Sequence, residues 1–410
     1  MLKRLSVIVT IALLFSSSLT LAQSKDPQQA DKFPPSPLEI TTPDPLVPPL
    51  SEKRELTLEE QLRLQVALDE LNQEALAKSQ AGDRLGAFDI WHRELRLRRY
   101  LGVDAEVKAL SRVGDIAWNQ NNREEVGYIT QRLQAIQKQV QSPKKTEQSN
   151  VGIEFWRSLG EAYQKVRSPK PAVEAYNQVL AIVRQQQDTS AEVETLKTIG
   201  ELHLSWFNYP QAATTYEQLL SFATVKGDRL NEIAYLQQLA YIYQQGKQPQ
   251  QSINTLNQLV KIYSQESDST RLPELQIAIG SNYELLAQEN SSLLQQAFNS
   301  YQQAYLIAWR SQQYARAAEA LQKLIPLYRL QKQTDEALQA SQLLLQTQEL
   351  AVNYYGMMQA YDQRGQLYIE RKDYPQALAA FQKGLELAQQ LKHEEAYFTQ
   401  QIEKLSKANF

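Results

Sequence analysis

The chain has no cysteine among its 410 residues. That excludes a disulfide framework, thiolate zinc sites, iron–sulfur ligation and thiol catalysis together. Histidine is nearly as scarce: His92, His203 and His393 are the whole supply, and no two are spaced to share one face of a helix. Glycine, at 14 residues, is about half the usual share of roughly 7%. Phosphate-cradling loops and tight β-hairpins are therefore poorly supplied. Charge of one sign is also missing, since 43 basic side chains face 46 acidic ones for a net −3, and nucleic-acid binding needs clustered positive charge. The spacings G-x-x-x-x-G-K, G-x-S-x-G and H-E-x-x-H are absent. A non-catalytic protein without a cofactor and without a nucleic-acid partner is expected.

One long apolar run is present, at the start. Lys3 and Arg4 precede an apolar stretch from Leu5 to Phe15, followed by small residues that end at Ala22. This order reads as a secretory signal over residues 1–22, cleaved after Ala22. The alternative is a retained anchor, because Leu5 to Ala22 is close to the shortest span that crosses a bilayer. No later segment approaches that apolar length, so no membrane span is expected once the signal is removed. Eight of the 16 prolines fall between Pro27 and Pro49. Proline lacks an amide donor and fixes φ, so residues 23–55 read as an extended, disordered spacer, with order beginning near Leu56.

From residue 56 onward apolar side chains recur every three or four positions, which predicts an all-α chain. Pairs of an apolar and a small residue recur in register at Leu159-Gly160, Ile199-Gly200, Leu239-Ala240 and Ile279-Gly280, in steps of 40. The clearest copy is Trp156-x2-Leu159-Gly160-x2-Tyr163-x8-Ala172-x3-Tyr176. Gly200, Ala212 and Tyr216 repeat its spacing, as do Gly365, Tyr368, Ala377 and Phe381. Gly114, Ala240 and Gly280 mark weaker copies, the last with five extra residues around Asn290. This pattern resembles the tetratricopeptide repeat. The resemblance implies about eight helical hairpins over 56–385, stacked as a right-handed superhelical α-solenoid, and a capping helix over 386–410. Small residues at the Gly and Ala positions are expected to let paired helices approach, with Tyr163 and Phe381 filling the gap between successive hairpins. Pro169, Pro210, Pro249 and Pro375 are expected in the first turn of second helices, where the missing N–H costs little. Pro326 is expected to kink or delay its helix.

In such an array certain positions of each first helix face a concave groove, and here they carry Asp115, Glu154, Arg157, Glu161, Glu194, Lys197 and Glu201. Helical spacing lets Arg157 pair with Glu154 and Glu161, and Lys197 with Glu194 and Glu201. The groove is then either a self-paired, hydrated face or a recognition strip for a charged peptide segment, with Trp118 and Tyr241 as aromatic anchors. Its carboxylates also suit a hard cation such as Mn²⁺, although the chain has no compact Asp-x-Asp cluster.

The signal, the proline-rich spacer, Leu95-Arg96-Leu97-Arg98-Arg99-Tyr100-Leu101-Gly102 and the glutamine-rich stretch 129–137 together resemble exported cyanobacterial tetratricopeptide proteins. In length and layout the chain is most similar to the processing-associated repeat proteins of photosystem II assembly. The resemblance implies a periplasmic scaffold, or one in the thylakoid lumen or held at a membrane through a partner. Its partner would be a protein or peptide, such as an integral membrane assembly intermediate. The alternative implied is a protein that delivers Mn²⁺.

Overall fold

The structure, a computed structural model, describes residues 36–47, 56–141 and 151–407. The expected signal and the rest of the expected spacer lie outside them. The described residues hold 17 α-helices and no strand, and they fall into two compact units divided at Arg132 and Leu133.

The first unit contains α1 (Leu58–Gln80), α2 (Arg84–Arg98), α3 (Val103–Asn119) and the first part of α4 (Arg123–Gln141). A capping box starts α1: Thr57 Oγ1 accepts from the Glu60 amide, and the Glu60 carboxylate accepts from the Thr57 amide. Residues 36–47 differ from the expected spacer. They form a short 3₁₀ turn at Pro37–Glu39 and lie against α2, with Leu38 only 1% exposed. Prolines there remove three backbone donors, but the strap's acceptors remain, and arginines on and just past α2 satisfy several of them. Arg96 donates to the Pro37 carbonyl at 2.8 Å, Arg99 donates to the Leu38 carbonyl, and Arg93 grips Asp44 through two bonds of 2.7 and 3.0 Å.

The second unit is a run of hairpins: α5 (Ile153–Lys165) with α6 (Pro169–Gln185), α7 (Thr189–Ser205) with α8 (Tyr209–Lys226), and α9 (Arg229–Gln245) with α10 (Pro249–Gln265). They continue with α11 (Leu272–Ala287) and α12 (Leu294–Arg310), α13 (Tyr314–Leu330) and α14 (Thr334–Leu350), then α15 (Tyr354–Glu370) and α16 (Tyr374–Leu391). The closing helix α17 spans Glu395–Lys407, so α16 runs past residue 386, where the closing helix was expected to begin. The chain breaks instead at Lys392, which takes the left-handed conformation that ends a helix.

The turns are strictly periodic. A residue with φ between 52° and 67° ends the helix before each turn at Arg167, Gln187, Phe207, Gly227, Lys247 and Ser267, in steps of 20. The steps resume at Gln312, Lys332, Val352, Lys372 and Lys392, and the surplus of five residues between the two series is the insert that lengthens the α11–α12 connection. In each turn of the first series the next amide reaches back five residues, as from Ser168 to the Tyr163 carbonyl at 2.8 Å, which satisfies a helix end with little help from glycine.

Packing within a hairpin rests on a ring over a glycine. A methyl group added at Gly160 would lie 2.7 Å from the Tyr176 ring, at Gly200 2.8 Å from Tyr216, at Gly280 2.6 Å from Tyr301, and at Gly365 2.6 Å from Phe381. Phe381 lies on Gly365 of its own hairpin across the turn and also shares a buried cluster with Phe398 of the following helix. Gly384 plays the same part for Phe398 of α17. Tyr163 does reach outward: it is fully buried, and its hydroxyl donates to Gln137 of α4 at 2.6 Å. Pro169, Pro210, Pro249 and Pro375 occupy first turns of α6, α8, α10 and α16. Pro326 does not delay its helix, since α13 runs unbroken through it. The proline is exposed and the Gln322 carbonyl it leaves without a donor is on a partly exposed residue, so water can serve that acceptor.

Candidate functional site

Because each hairpin adds one first helix and one second helix, the four successive first helices α5, α7, α9 and α11 leave three recesses between them. One of about 240 Å³ opens between α5 and α7, lined by Gln164 and Arg167 on one side and Thr198, Glu201, Ser205 and Trp206 on the other. The next, also about 240 Å³, lies between α7 and α9, where Glu194 and Lys197 face Asp228 and Tyr235 above a floor of Leu219 and Phe222 from α8. The third, about 300 Å³, lies between α9 and α11, with Tyr241 and Gln244 facing Arg271, Glu274 and Asn282 above Leu256 and Tyr263 of α10.

The groove residues expected from the sequence distribute over these recesses unevenly. Glu194 and Lys197 meet in one, Glu201 lines the preceding one, and Tyr241, 49% exposed, lines the following one. Glu154, Arg157 and Glu161 ride on α5 and line none of the three. Asp115 and Trp118 belong to α3 in the first unit, with Trp118 42% exposed.

Of the expected ion pairs, Arg157 with Glu154 forms at 2.9 Å. Lys197 instead sits 6.0 Å from the centre of the Tyr235 ring, and Tyr235 packs edge-on against Tyr216. Glu161, Glu194 and Glu201 have no ion pair among the described residues, so this part of the face is less self-neutralised than side-chain spacing suggests. These carboxylates act on the packing rings nonetheless. Burial first, then the Glu161 charge, pushes the Tyr176 hydroxyl up to about 12, and burial with Glu201 raises Tyr216. A tyrosine whose ring is packed on glycine and whose hydroxyl is beside a carboxylate stays neutral.

Sequence reasoning missed Trp206 and Phe207, which are 46% and 74% exposed at the α7–α8 turn. Their signal is a pair of aromatics where no other turn of the series places one. Phe207 holds φ at 58°, a conformation bulky side chains rarely adopt. For metal, no group of three or more His, Asp or Glu side chains gathers among the described residues. No described helix is long and apolar enough to cross a membrane.

The tetratricopeptide-repeat profiles match residues 234–265 and 359–391, which fall on α9–α10 and α15–α16. Among solved structures, the chain is similar to the MamA protein, at 19% identity over 50% of this chain and 94% of that one, with a TM-score of 0.35. It is also similar to aspartyl phosphate phosphatase F of Bacillus subtilis, at 15% identity over 73% and 78% of the two chains and a TM-score of 0.40. A third is a signal-transduction ATPase with a tetratricopeptide repeat sensor from Pyrococcus horikoshii, at 15% identity over 85% and 52% and a TM-score of 0.41. No curated protein sequence matches the chain. Residues 234–265 and 359–391 thus match the tetratricopeptide repeat, and the described residues around them form helical hairpins of the same kind.

Proposed function

We propose that the chain is a non-catalytic protein-interaction scaffold that holds an extended segment of a partner protein along the recesses between α5 and α11. The observation that carries this reading is the sequence of three recesses, one per step between first helices, with the unpaired Glu201 carboxylate beside the half-exposed Trp206 in the first of them. An extended chain advances about 3.3 Å per residue, so successive recesses meet side chains several residues apart along the segment. Carboxylates Glu194 and Glu201 favour basic side chains at those positions, and Trp206 and Tyr241 offer flat apolar surfaces for the residues between.

Export to the periplasm is supported by the basic, apolar and small-residue order of residues 1–22. A role in photosystem II assembly is supported by the likeness in layout to exported cyanobacterial repeat proteins. Affinity capture from the native cell envelope tests both the site and the setting. Glu201→Lys and Tyr241→Ala are expected to reduce recovery of the specific partner at least tenfold, while Glu154→Lys, outside the recesses, leaves it intact. Equal recovery by all four proteins would remove the recesses as the binding site. A partner without a membrane or photosystem connection would remove the assembly role and leave the site standing.

A further inference from the structure

The first unit carries a peptide-docking surface of a different kind. Arg93, Arg96 and Arg99 follow one another at three-residue spacing on and just past α2, and each donates to residues 36–47 of the same chain. Two of the three arginines reach backbone carbonyls, of Pro37 and Leu38, groups that any peptide presents, and only the Arg93–Asp44 pair reads a side-chain charge. The apolar grip is small: Leu38 is buried, while Leu46 and Val47 pack on a cluster of Leu56, Leu64, Leu68 and Leu97. Pro37, Pro43 and Pro45 take three amide donors out of the strap, and in its bonds to the three arginines the strap is the acceptor.

The charges do not balance. Asp44 answers Arg93, and Glu106 answers Arg99 at 3.1 Å but is shared with Arg132 at 2.6 Å. Arg96 has no ion pair of its own among the described residues: it donates to the Pro37 carbonyl at 2.8 Å, and against the charges of Arg93 and Arg99 it has the nearby Asp44, already bonded to Arg93. Burial, and after it the neighbouring Arg99, depress its pKa, as expected for a cation short of an anion. A segment with the strap's shape and one more acid would satisfy the arginine row better than the strap does.

We propose that the Arg93–Arg96–Arg99 row is a second docking site, for an extended, proline-containing acidic segment of a partner protein, and that residues 36–47 occupy it in cis as a built-in competitor. Tethering gives the strap a high effective concentration, so an incoming segment must bind more tightly or be tethered itself. This site is independent of the recesses in the second unit.

The test uses the full chain with a protease site engineered between residues 48 and 55, so that the strap can be cut from the body without being removed. A fluorescein-labelled peptide of residues 36–47 is then titrated and read by anisotropy. Exchange of the label into the cut protein is expected, at least tenfold tighter than into the uncut chain, and weakened at least tenfold by Arg93→Gln with Arg96→Gln. A peptide carrying Thr42→Glu is expected to bind at least threefold tighter, with a steeper salt dependence. Binding that ignores the arginine substitutions, or no exchange while circular dichroism retains the full helix signal, overturns the site. Loss of helix on cutting also overturns it, because the strap is then part of the fold and not a ligand. No gain from Thr42→Glu overturns the preference for acid.

Discussion

The two units solve the same packing problem with different chemistry. Every buried acidic, basic or histidine side chain among the described residues lies in the first unit: His92, Glu94, Arg98, Glu106 and Glu125. Glu94 is wholly buried and accepts from Arg98 at 2.9 Å and from Arg112 at 2.7 and 2.8 Å, and His92 meets Glu125 at 2.6 Å. In the second unit the buried polar side chains are uncharged, and many serve their own helix, as Thr195, Thr215, Thr255 and Ser300 do by donating to the carbonyl one turn back. Glycine under an aromatic ring sets the helix spacing there. A buried ion network binds by matched charge and is damaged by losing any one member, whereas ring-on-glycine contacts bind by shape and are damaged by adding atoms.

The sharpest way to break that contrast is Glu94→Ala, which takes the carboxylate from Arg112 and leaves the buried Arg98 with Asp69 alone. A loss of about 3–5 kcal/mol is expected in urea unfolding, with hydrogen exchange rising in α1–α3 first. A loss below about 1 kcal/mol would mean the first unit does not depend on its ions. Next in size is Gly365→Ala. The added methyl would lie 2.6 Å from the Phe381 ring, so overpacking of about 1–3 kcal/mol outweighs the gain in helix propensity. Gly127→Ala on α4 is the counterpart, since nothing stands within 4 Å of the new methyl and a gain of about 1 kcal/mol is expected. Thermal melts of the two variants should move in opposite directions, and two gains would refute the ring-on-glycine account.

Smaller effects test the turns and the titration of the second unit. Val352 holds φ at 52° with a β-branched side chain, so Val352→Gly is expected to stabilise by about 0.5–1 kcal/mol after the extra chain entropy of glycine is subtracted. A destabilised variant would show that the Val352 side chain contributes contacts that outweigh its backbone. The smallest effect concerns His203, whose burial lowers its pKa below the ordinary 6.5. The folded state then binds fewer protons than the unfolded one. The neutral ring's contribution is complete above about pH 6.5 and drains away as pH falls from there through the lowered value. His203→Tyr, the residue type that Tyr163 and Tyr243 place at the equivalent position, should flatten the acid limb of the stability profile; an unchanged limb assigns that slope to other groups.

Much of the array is visible before any coordinates. Gly160 and Tyr176, Gly200 and Tyr216, and Gly365 and Phe381 are each 16 residues apart in the sequence, and this spacing is the length of chain that carries a ring back over a glycine across one turn. What the spacing does not reveal is which neighbour the ring meets, so Phe381 reads equally well as facing the next hairpin. The groove was legible as positions on a helix but not as partners. Lys197 has two carboxylates within helical reach, and it lies over Tyr235 from the next hairpin instead. Trp206 is harder to read because the turn positions recur every 20 residues without sharing a residue type. The strap is hard to read for another reason: proline content describes a segment that cannot form helix or sheet, and is silent on acceptors that distant arginines can satisfy.

The sequence by itself determined the all-α class, the 40-residue period and the small-residue anchors, because these follow from local spacing that every copy repeats. Only the tertiary structure decided that residues 36–47 dock on α2, that the first unit has an ionic interior, and that Glu194, Glu201 and Tyr241 open into separate recesses. Those features depend on side chains that meet across elements far apart in the chain, as Asp44 meets Arg93, and no periodicity encodes such a meeting.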